Sequence, residues 1–290
     1  LSYKIATRKS NLALAQTDYV IGEIKKKFGI ACEKLLIETT GDKRLDVTLD
    51  KIGGKGVFVK DIEIAMLRGE AQAAVHSMKD VPFELENSFE IGAMPIREDV
   101  RDALISADGR SFGELPYGAK LGTSSHRRIA QIKALRPDIQ LVPIRGNVET
   151  RIEKMYKQNL DGIILAYAGL KRLGLECKAS SCFSIEEMIP AVGQGALGVE
   201  IVKGNEIAPI VKGIDNHEVR VCVEAERSFM KALNGGCHTT IGAYAALEGD
   251  RIYMLGIFEV NGRLIKKDIE GSVLEHLDLG RRLAYKIISA

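Results

Sequence analysis

The chain has 290 residues, 46% hydrophobic and 28% charged, with a formal net charge of +2. That length exceeds what one core usually serves, so two or three domains of ordinary soluble composition are expected. Near-neutral charge with 6% aromatic residues excludes a typical nucleic-acid binder, and no apolar run is long enough to span a bilayer.

"YKIAT" reads as a short strand, after which Ser10 can cap a helix. Leu12, Gln16, Val20, Ile24 and Phe28 recur every fourth residue there, with Leu12, Val20, Ile24 and Phe28 as the expected buried stripe and Gly29 as the stop. "CEKLLIETTG" reads as the next strand. "GDKRLDVTLDKIGGKG", residues 41–56, is rich in charge and glycine without a sustained period, which predicts a mobile loop. "VKDIEIAMLRG" is helical, and "AQAAVHS" and "FEIGAMPI" are strands. After "REDVRDALIS" the pattern begins again. "AKLGTSS" runs into the helix "HRRIAQIKALR", stopped by Pro137, and "IQLVPIRG" runs into "NVETRIEKMYKQN". "LDGIILAYAG" is a buried strand and "LKRLG" a short helix. Strands alternating with helices predict parallel sheets with helices on both faces. "IPAVGQGALGVEI" looks like a crossing between domains. A helix, "EVRVCVEAERSFMKAL", then precedes "TTIGAYAAL", "RIYMLGIFEV" and "RLIKKDIEG", whose "EGD" and "NG" turns suit hairpins. "SVLEHLDLGRRLAYKIIS" closes the chain as a helix on this small α+β part.

The opening "LSYKIATRKS" is not a secretory signal, and Cys32, Cys177, Cys182, Cys222 and Cys237 are odd in number and irregularly spaced. No disulfide framework is expected, and a cytoplasmic location fits best. No metal site is expected either: Cys177 and Cys182 lack a matching pair, and adjacent Cys237 and His238 suit no common zinc pattern. The nucleophile elbow of a serine hydrolase and the dinucleotide fingerprint are missing, and "KIGGKG" lacks the ending of a phosphate loop. Arg8, Arg97, Arg101, Arg127, Arg128, Arg145, Arg151 and Arg172 fall in or beside Gly/Ser/Thr turns. Any one of them reads better as a surface arginine. As a set at strand-to-helix junctions they suggest an anion site, since guanidinium forks and helix N-termini both take carboxylate or phosphate. "VHSMKDVP" puts Lys79 and Asp80 just past a buried strand, where open α/β sheets keep ligands. By spacing alone, Asp80 is a turn residue bonding nearby N–H groups, His76 a satisfied core or edge histidine, and Cys237 an inert thiol.

In order along the chain stand "IATRKSNLALAQ", "GGKGVFVKDIE", "AVHSMKDVP", "LGTSSHRR", "IRGNVETR", "ILAYAGLKRLG", "PAVGQGALG" and "LNGGC". This series resembles the porphobilinogen deaminase (hydroxymethylbilane synthase) family from about Ile5 to Tyr244. The resemblance implies two α/β domains of the type II periplasmic-binding-protein kind around a cleft, plus a C-terminal α+β domain with a three-stranded antiparallel sheet. It places domain 1 at residues 1–96 plus 195–213, with the segment after "AVGQG" returning to complete it. Domain 2 is then 97–194 and domain 3 is 214–290.

The resemblance also implies a transferase that condenses four porphobilinogen molecules head to tail, with loss of ammonia, and releases hydroxymethylbilane by hydrolysis. Cys237 matches the family cysteine that carries a dipyrromethane cofactor through a thioether. Adjacent glycines leave room for a bulky pyrrole beside the backbone. Asp80 matches the catalytic carboxylate, suited to stabilising a pyrrole-borne cation. Lys79, Asp80, Thr123, Ser124, Ser125, Arg127, Arg128, Arg145 and Gly146 match cofactor-binding positions. Arg8, Ser10, Arg145, Arg151 and Arg172 match substrate-binding positions, and Lys51 and Lys55 the active-site loop. His126 departs from the family pattern, where leucine is common, and so does "HTT" after Cys237. A monomer without metal, nucleic acid or membrane is implied, with hand-over of product to uroporphyrinogen III synthase. The alternative from another class is a non-catalytic small-anion receptor of the periplasmic-binding-protein type. It predicts no covalent adduct.

Overall fold

Ser10 begins the first helix, its hydroxyl accepting the Ala13 N–H at 3.4 Å, and Gly29 ends it in the left-handed region at φ 68°. The computed structural model describes residues 2–39, 59–235 and 239–290. This helix, α1 (Asn11–Phe28), buries Gln16, Thr17, Val20 and Ile24, while Leu12 is half-buried and Phe28 is exposed. The fourfold stripe expected from Leu12 to Phe28 therefore fails at its ends. Four residues overshoot a 3.6-residue turn by about 40°, so four such steps carry the side chain about 160° around the helix.

Two compact units divide the chain. One comprises residues 1–97 and 196–220, the other residues 98–195 and 221–290. The first is built on a five-stranded sheet, ordered β2 (Cys32–Ile37), β1 (Tyr3–Arg8), β3 (Ala73–Ser77), β10 (Leu197–Val202) and β4 (Phe89–Ala93). Strands β1, β2 and β3 are parallel, whereas β10 runs antiparallel to both β3 and β4. Ile5, Ala73, Val75, Leu197, Val199 and Ile201 bury one face with Val20 and Ile24 of α1. Ala6 and Ala74 bury the other with Ile62 and Met66 of α2 (Lys60–Leu67). Both faces are covered at the centre of the sheet, where β3 is a nearly continuous buried run, whereas edge strand β2 keeps Glu33, Lys34 and Leu36 exposed.

The second unit carries a sheet ordered β7 (Gln140–Val142), β6 (Lys120–Gly122), β8 (Gly162–Ala166), β5 (Asp102–Ser106) and β9 (Ser181–Cys182). Strands β6, β7 and β8 are parallel; β5 is antiparallel to β8 and β9. Helix α3 (His126–Leu135) packs Ile132 with Leu104, Leu121 and Ile164, and α4 (Val148–Lys157) packs Met155 with Ala103, Ile105 and Ile163. Short α5 (Tyr167–Arg172) follows β8 directly, starting three residues before the expected "LKRLG" helix.

The expected parallel sheets are thus mixed. In each sheet the antiparallel strand, β10 or β5, enters straight from a chain crossing instead of through a strand–helix–strand unit. Strand β5 was not expected at all: every residue of "DALIS" is buried, so the segment shows no alternation. Helix α6 (Ala208–Gly213) and β9 also lay unmarked in the sequence.

The remainder of the second unit is α+β. Strands β11 (Ile241–Glu248), β12 (Arg251–Val260) and β13 (Arg263–Ser272) form an antiparallel meander. It packs with Ala225 and Phe229 of α7 (His217–Ala232) and Leu279, Leu283 and Ile287 of α8 (His276–Ile288). The unit boundary falls within α7. The helices meet so closely that a Cβ on Gly280 would lie 2.3 Å from the Ala225 carbonyl oxygen. Fully buried Glu226 accepts the Gly193 N–H and the Ala245 N–H, both at 2.8 Å, tying the "AVGQG" segment to β11. Among the described residues, no helix is long and apolar enough to cross a membrane. The fold class is the expected one: two α/β sheets of like strand order and a small α+β part.

Candidate active site

In the first unit, β1 and β3 are parallel neighbours, so the residues following them share one sheet edge. Arg8 ends β1 half-buried, and Ser10 caps α1 just beyond it. A single 3₁₀ turn, Met78–Asp80, follows β3, and the Gln16 amide donates to Ser77 Oγ at 2.9 Å, fastening α1 to the strand end. Met78 is buried, Lys79 half-buried and Asp80 exposed. The Val81 N–H closes the turn on the Met78 carbonyl at 3.3 Å. No described residue donates a hydrogen bond to the Asp80 carboxylate, unlike the self-capped turn that spacing alone suggests. Lys51, Lys55 and the predicted mobile loop 41–56 lie outside the described residues.

In the second unit, three parallel strands deliver the other candidates to one edge. After β6, Thr123 Oγ1 accepts the Ser125 N–H at 3.2 Å, and Ser125 Oγ caps α3 by accepting the Arg128 N–H at 3.5 Å. Ser124 Oγ donates to the Ile144 carbonyl at 2.9 Å and accepts its N–H at 3.0 Å, joining the β6 and β7 ends. After β7 comes Arg145, then Gly146 at φ 127°, where an added Cβ would meet Thr150 Cγ2 at 2.7 Å. Asn147 caps α4 by accepting the Thr150 N–H at 2.8 Å, and Arg151 Nε donates to the Gly146 carbonyl at 2.8 Å. Arg172, at the end of α5, donates to the Gly195 carbonyl at 2.6 Å. Thr123, Ser124, Ser125, Arg145, Gly146 and Arg151 are therefore neighbours along one edge. His126, the departure from the family pattern, is exposed as the first residue of α3.

Arg127 and Arg128 differ from the rest because they are buried, 4% and 6% exposed, against Asp102, which is fully buried. Arg127 Nη1 donates to Asp102 Oδ2 and to the Ile189 carbonyl, each at 2.7 Å. Arg128 gives Nε and Nη2 to Asp102 Oδ1, at 3.1 and 2.7 Å, and Nη1 to the Ile164 carbonyl at 2.9 Å. The Gln194 amide adds a bond to Asp102 Oδ1 at 3.1 Å. Burial by itself would raise the Asp102 carboxyl; the two guanidinium groups outweigh it and hold the acid well below the usual carboxylate range. Burial draws Arg127 down from its ordinary value, with Asp102 opposing, yet an arginine stays charged at neutral pH.

The two arginines are not equivalent. Arg128 spends its Nε/Nη2 edge on Asp102. Arg127 uses only Nη1, so its Nε/Nη2 edge has no acceptor among the described residues. A buried guanidinium with one bidentate edge unfilled suits a single carboxylate. A dipyrromethane carries four carboxylates, two on each pyrrole, so this donor set fits it. Cys237 lies outside the described residues. Sequence reasoning passed over Asp102, Gln131, Gln194 and Glu226. Gln131 accepts the Ile189 N–H at 2.7 Å and donates to the Ile189 carbonyl at 3.1 Å, so the "IPAVGQG" segment is stitched to α3. The available signal was an aspartate heading an apolar run, with an arginine pair downstream to neutralise it.

Comparison with known proteins gives this geometry a context. A family model described as "Porphobilinogen deaminase, dipyromethane cofactor binding domain" matches residues 3–208, and one described as "Porphobilinogen deaminase, C-terminal domain" matches residues 220–289. The porphobilinogen deaminase of Clostridium kluyveri is 59% identical over 289 residues, covering 100% of both chains. That of Clostridium acetobutylicum is 58% identical over 284 residues, covering 98% of both. Among solved structures, the methionine binding protein MetQ aligns with a TM-score of 0.47 and 11% identity, over 76% of this chain and 92% of that one. With two family models spanning nearly every residue and relatives identical at more than half of their positions, the chain belongs to the porphobilinogen deaminase family.

Proposed function

We propose that this chain is a hydroxymethylbilane synthase: it joins four porphobilinogen molecules head to tail on a dipyrromethane primer and releases the linear tetrapyrrole by hydrolysis. At each addition the substrate's aminomethyl C–N bond breaks and ammonia leaves. A C–C bond then forms to the free α-carbon of the growing chain, which gives up its proton. The dipyrromethane, held through a thioether to Cys237, supplies that first nucleophilic carbon when bound. Residues 1–96 with 195–213, 97–194 and 214–290 serve as three domains in this reading. The chain works as a cytoplasmic monomer and passes its product to uroporphyrinogen III synthase.

The side chains divide the work by charge. Loss of ammonia leaves an electron-poor substrate cation, and the exposed Asp80 carboxylate, with no described donor of its own, is open to accept the pyrrole N–H and offset that charge. Such an electrostatic contact is worth about 3–4 kcal/mol in the transition state. Each pyrrole bears an acetate and a propionate, and these are what Lys79, Arg127, Arg145, Arg151 and Arg172 bind, with Arg8 and Ser10 in the first unit. Thr123, Ser124, Ser125 and Gly146 shape the backbone that presents these donors, and Lys51 and Lys55 complete the set from the loop. The observation that best supports carboxylate binding is the unfilled Nε/Nη2 edge of Arg127. Family membership leaves the small-anion receptor without support.

The mass of the intact, denatured chain tests the proposal. Active protein should weigh more than its sequence by one dipyrromethane, and Cys237→Ser should lose both the added mass and the turnover. An unmodified mass in fully active protein would refute the reading.

A further inference from the structure

Asp80 sits on a turn of three residues, exposed, with no described hydrogen-bond donor to its carboxylate. Such a side chain can be aimed only by its backbone, and the backbone is held by what precedes it. Four fastenings converge there. His76 Nε2 lies 2.9 Å from Glu200 Oε2 on β10, in a hydrogen bond that the imidazole donates. Ser77 Oγ receives the Gln16 amide. The Met78 N–H donates to the Ala196 carbonyl at 3.0 Å. The Met78 side chain fills the space over Gly198, where an added Cβ would stand 2.3 Å from its sulfur.

The His76–Glu200 bond is the unusual member of this set. His76 is 7% exposed and Glu200 fully buried, and Glu200 Oε1 has no hydrogen-bond partner among the described residues. A buried carboxylate with one oxygen unsatisfied is costly to keep. Ala74, opposite Glu200 in the ladder, belongs to the apolar cluster beneath α2, and Glu63 of α2 is buried beside the same pair. The Glu63 carboxyl is pushed up to about 7 by burial, then by Glu200 and Glu86, against His76 and Lys60. Glu63 therefore holds a proton in an appreciable fraction of molecules near neutrality, which limits the negative charge accumulated around Glu200.

We propose that His76 and Glu200 are positioning residues that set the direction of the Lys79–Asp80 turn, an inference that rests on Asp80 being the catalytic carboxylate. The pair crosslinks β3 diagonally to the returning strand β10, His76 standing one rung before the last (Ser77 opposite Leu197) and Glu200 opposite Ala74. Releasing it frees the strand end to shift, and a shift of about 1 Å at a reacting group can cost about a hundredfold in rate.

The test is a kinetic cycle on the cofactor-loaded protein, each variant checked by intact mass and melting. Glu200→Gln and His76→Phe should lower kcat about tenfold to a hundredfold with KM within about twofold of wild type. His76→Gln, which retains an N–H donor toward Glu200, should recover most of the loss. In an Asp80→Asn background, adding Glu200→Gln should cost nothing further, because a residue acting through Asp80 has nothing left to aim. Equal losses in both backgrounds would mark the pair as purely structural and overturn the inference, as would wild-type kcat in Glu200→Gln beside an inert Asp80→Asn. Wild-type turnover in Asp80→Asn itself would sink the role of Asp80, and this inference with it.

Discussion

Asp102→Asn is the perturbation whose cost follows most directly from the structure. The carboxylate is fully buried and accepts four N–H bonds, one from Arg127, two from Arg128 and one from Gln194. An amide of the same size removes the charge and leaves two buried guanidinium groups facing each other. Breaking a buried ion pair from one side costs about 3–5 kcal/mol. Against a whole-chain stability of about 5–15 kcal/mol, that is about a fifth or more of what holds the fold. With a urea m-value of about 2–3 kcal/mol/M, the midpoint should fall by about 1–2 M. The chain has no tryptophan, so far-UV circular dichroism is the natural probe. Asp99→Asn is the control, since its pair with Arg101 is partly solvated and worth less than about 1 kcal/mol. The pH dependence has a definite sign. The Asp102 carboxyl is depressed in the folded state, so its contribution is complete above the unfolded value of about 3.9 and is lost only as pH falls below that. At pH 7 the difference between wild type and variant should be full. A midpoint at pH 7 indistinguishable from that of Asp99→Asn would refute the reasoning.

Two other outcomes follow from single side chains. Glu226→Gln keeps one acceptor for two N–H groups, and an orphaned buried donor costs about 1–3 kcal/mol, so the melting temperature should drop by about 3–8 °C; co-melting with wild type would show that the tie between Gly193 and Ala245 is dispensable. Glu63 binds its proton more tightly folded, at about 7, than unfolded, so wild-type stability should fall as pH rises from about 4.5 to about 7. Glu63→Gln should abolish that slope, and melting curves at pH 5 and 8 that differ from wild type by a constant would refute it.

The order of elements was legible because caps and periods are local. Ser10, Ser125 and Asn147 each cap a helix with the side chain the sequence offers, and Gly29 stops one. The direction of β10 and β5 was not legible, since a strand's partners depend on where the chain re-enters a sheet. Strand β5 escaped notice because burial on both faces erases alternation. The same distinction governs the site. Arginines beside turns were visible as a class, but the separation of Arg127 from Arg128 depends on which edge of each guanidinium Asp102 occupies. That is set by two strands, a helix and the geometry of one buried carboxylate. The pairing of His76 with Glu200 spans 124 positions and has no local signature.

The late return of β10 bears on how the protein is made. Its strand lies between β3 and β4, so a nascent chain that has just emerged through residue 97 holds a sheet with a gap at its fourth place. Roughly a hundred more residues must leave the ribosome first, about 5–20 s at ordinary elongation speeds. Throughout that interval the inner edges of two strands stand open to any passing polypeptide. The half of the molecule that carries Asp80 is synthesised first and can be completed only after the segment that bears Arg127.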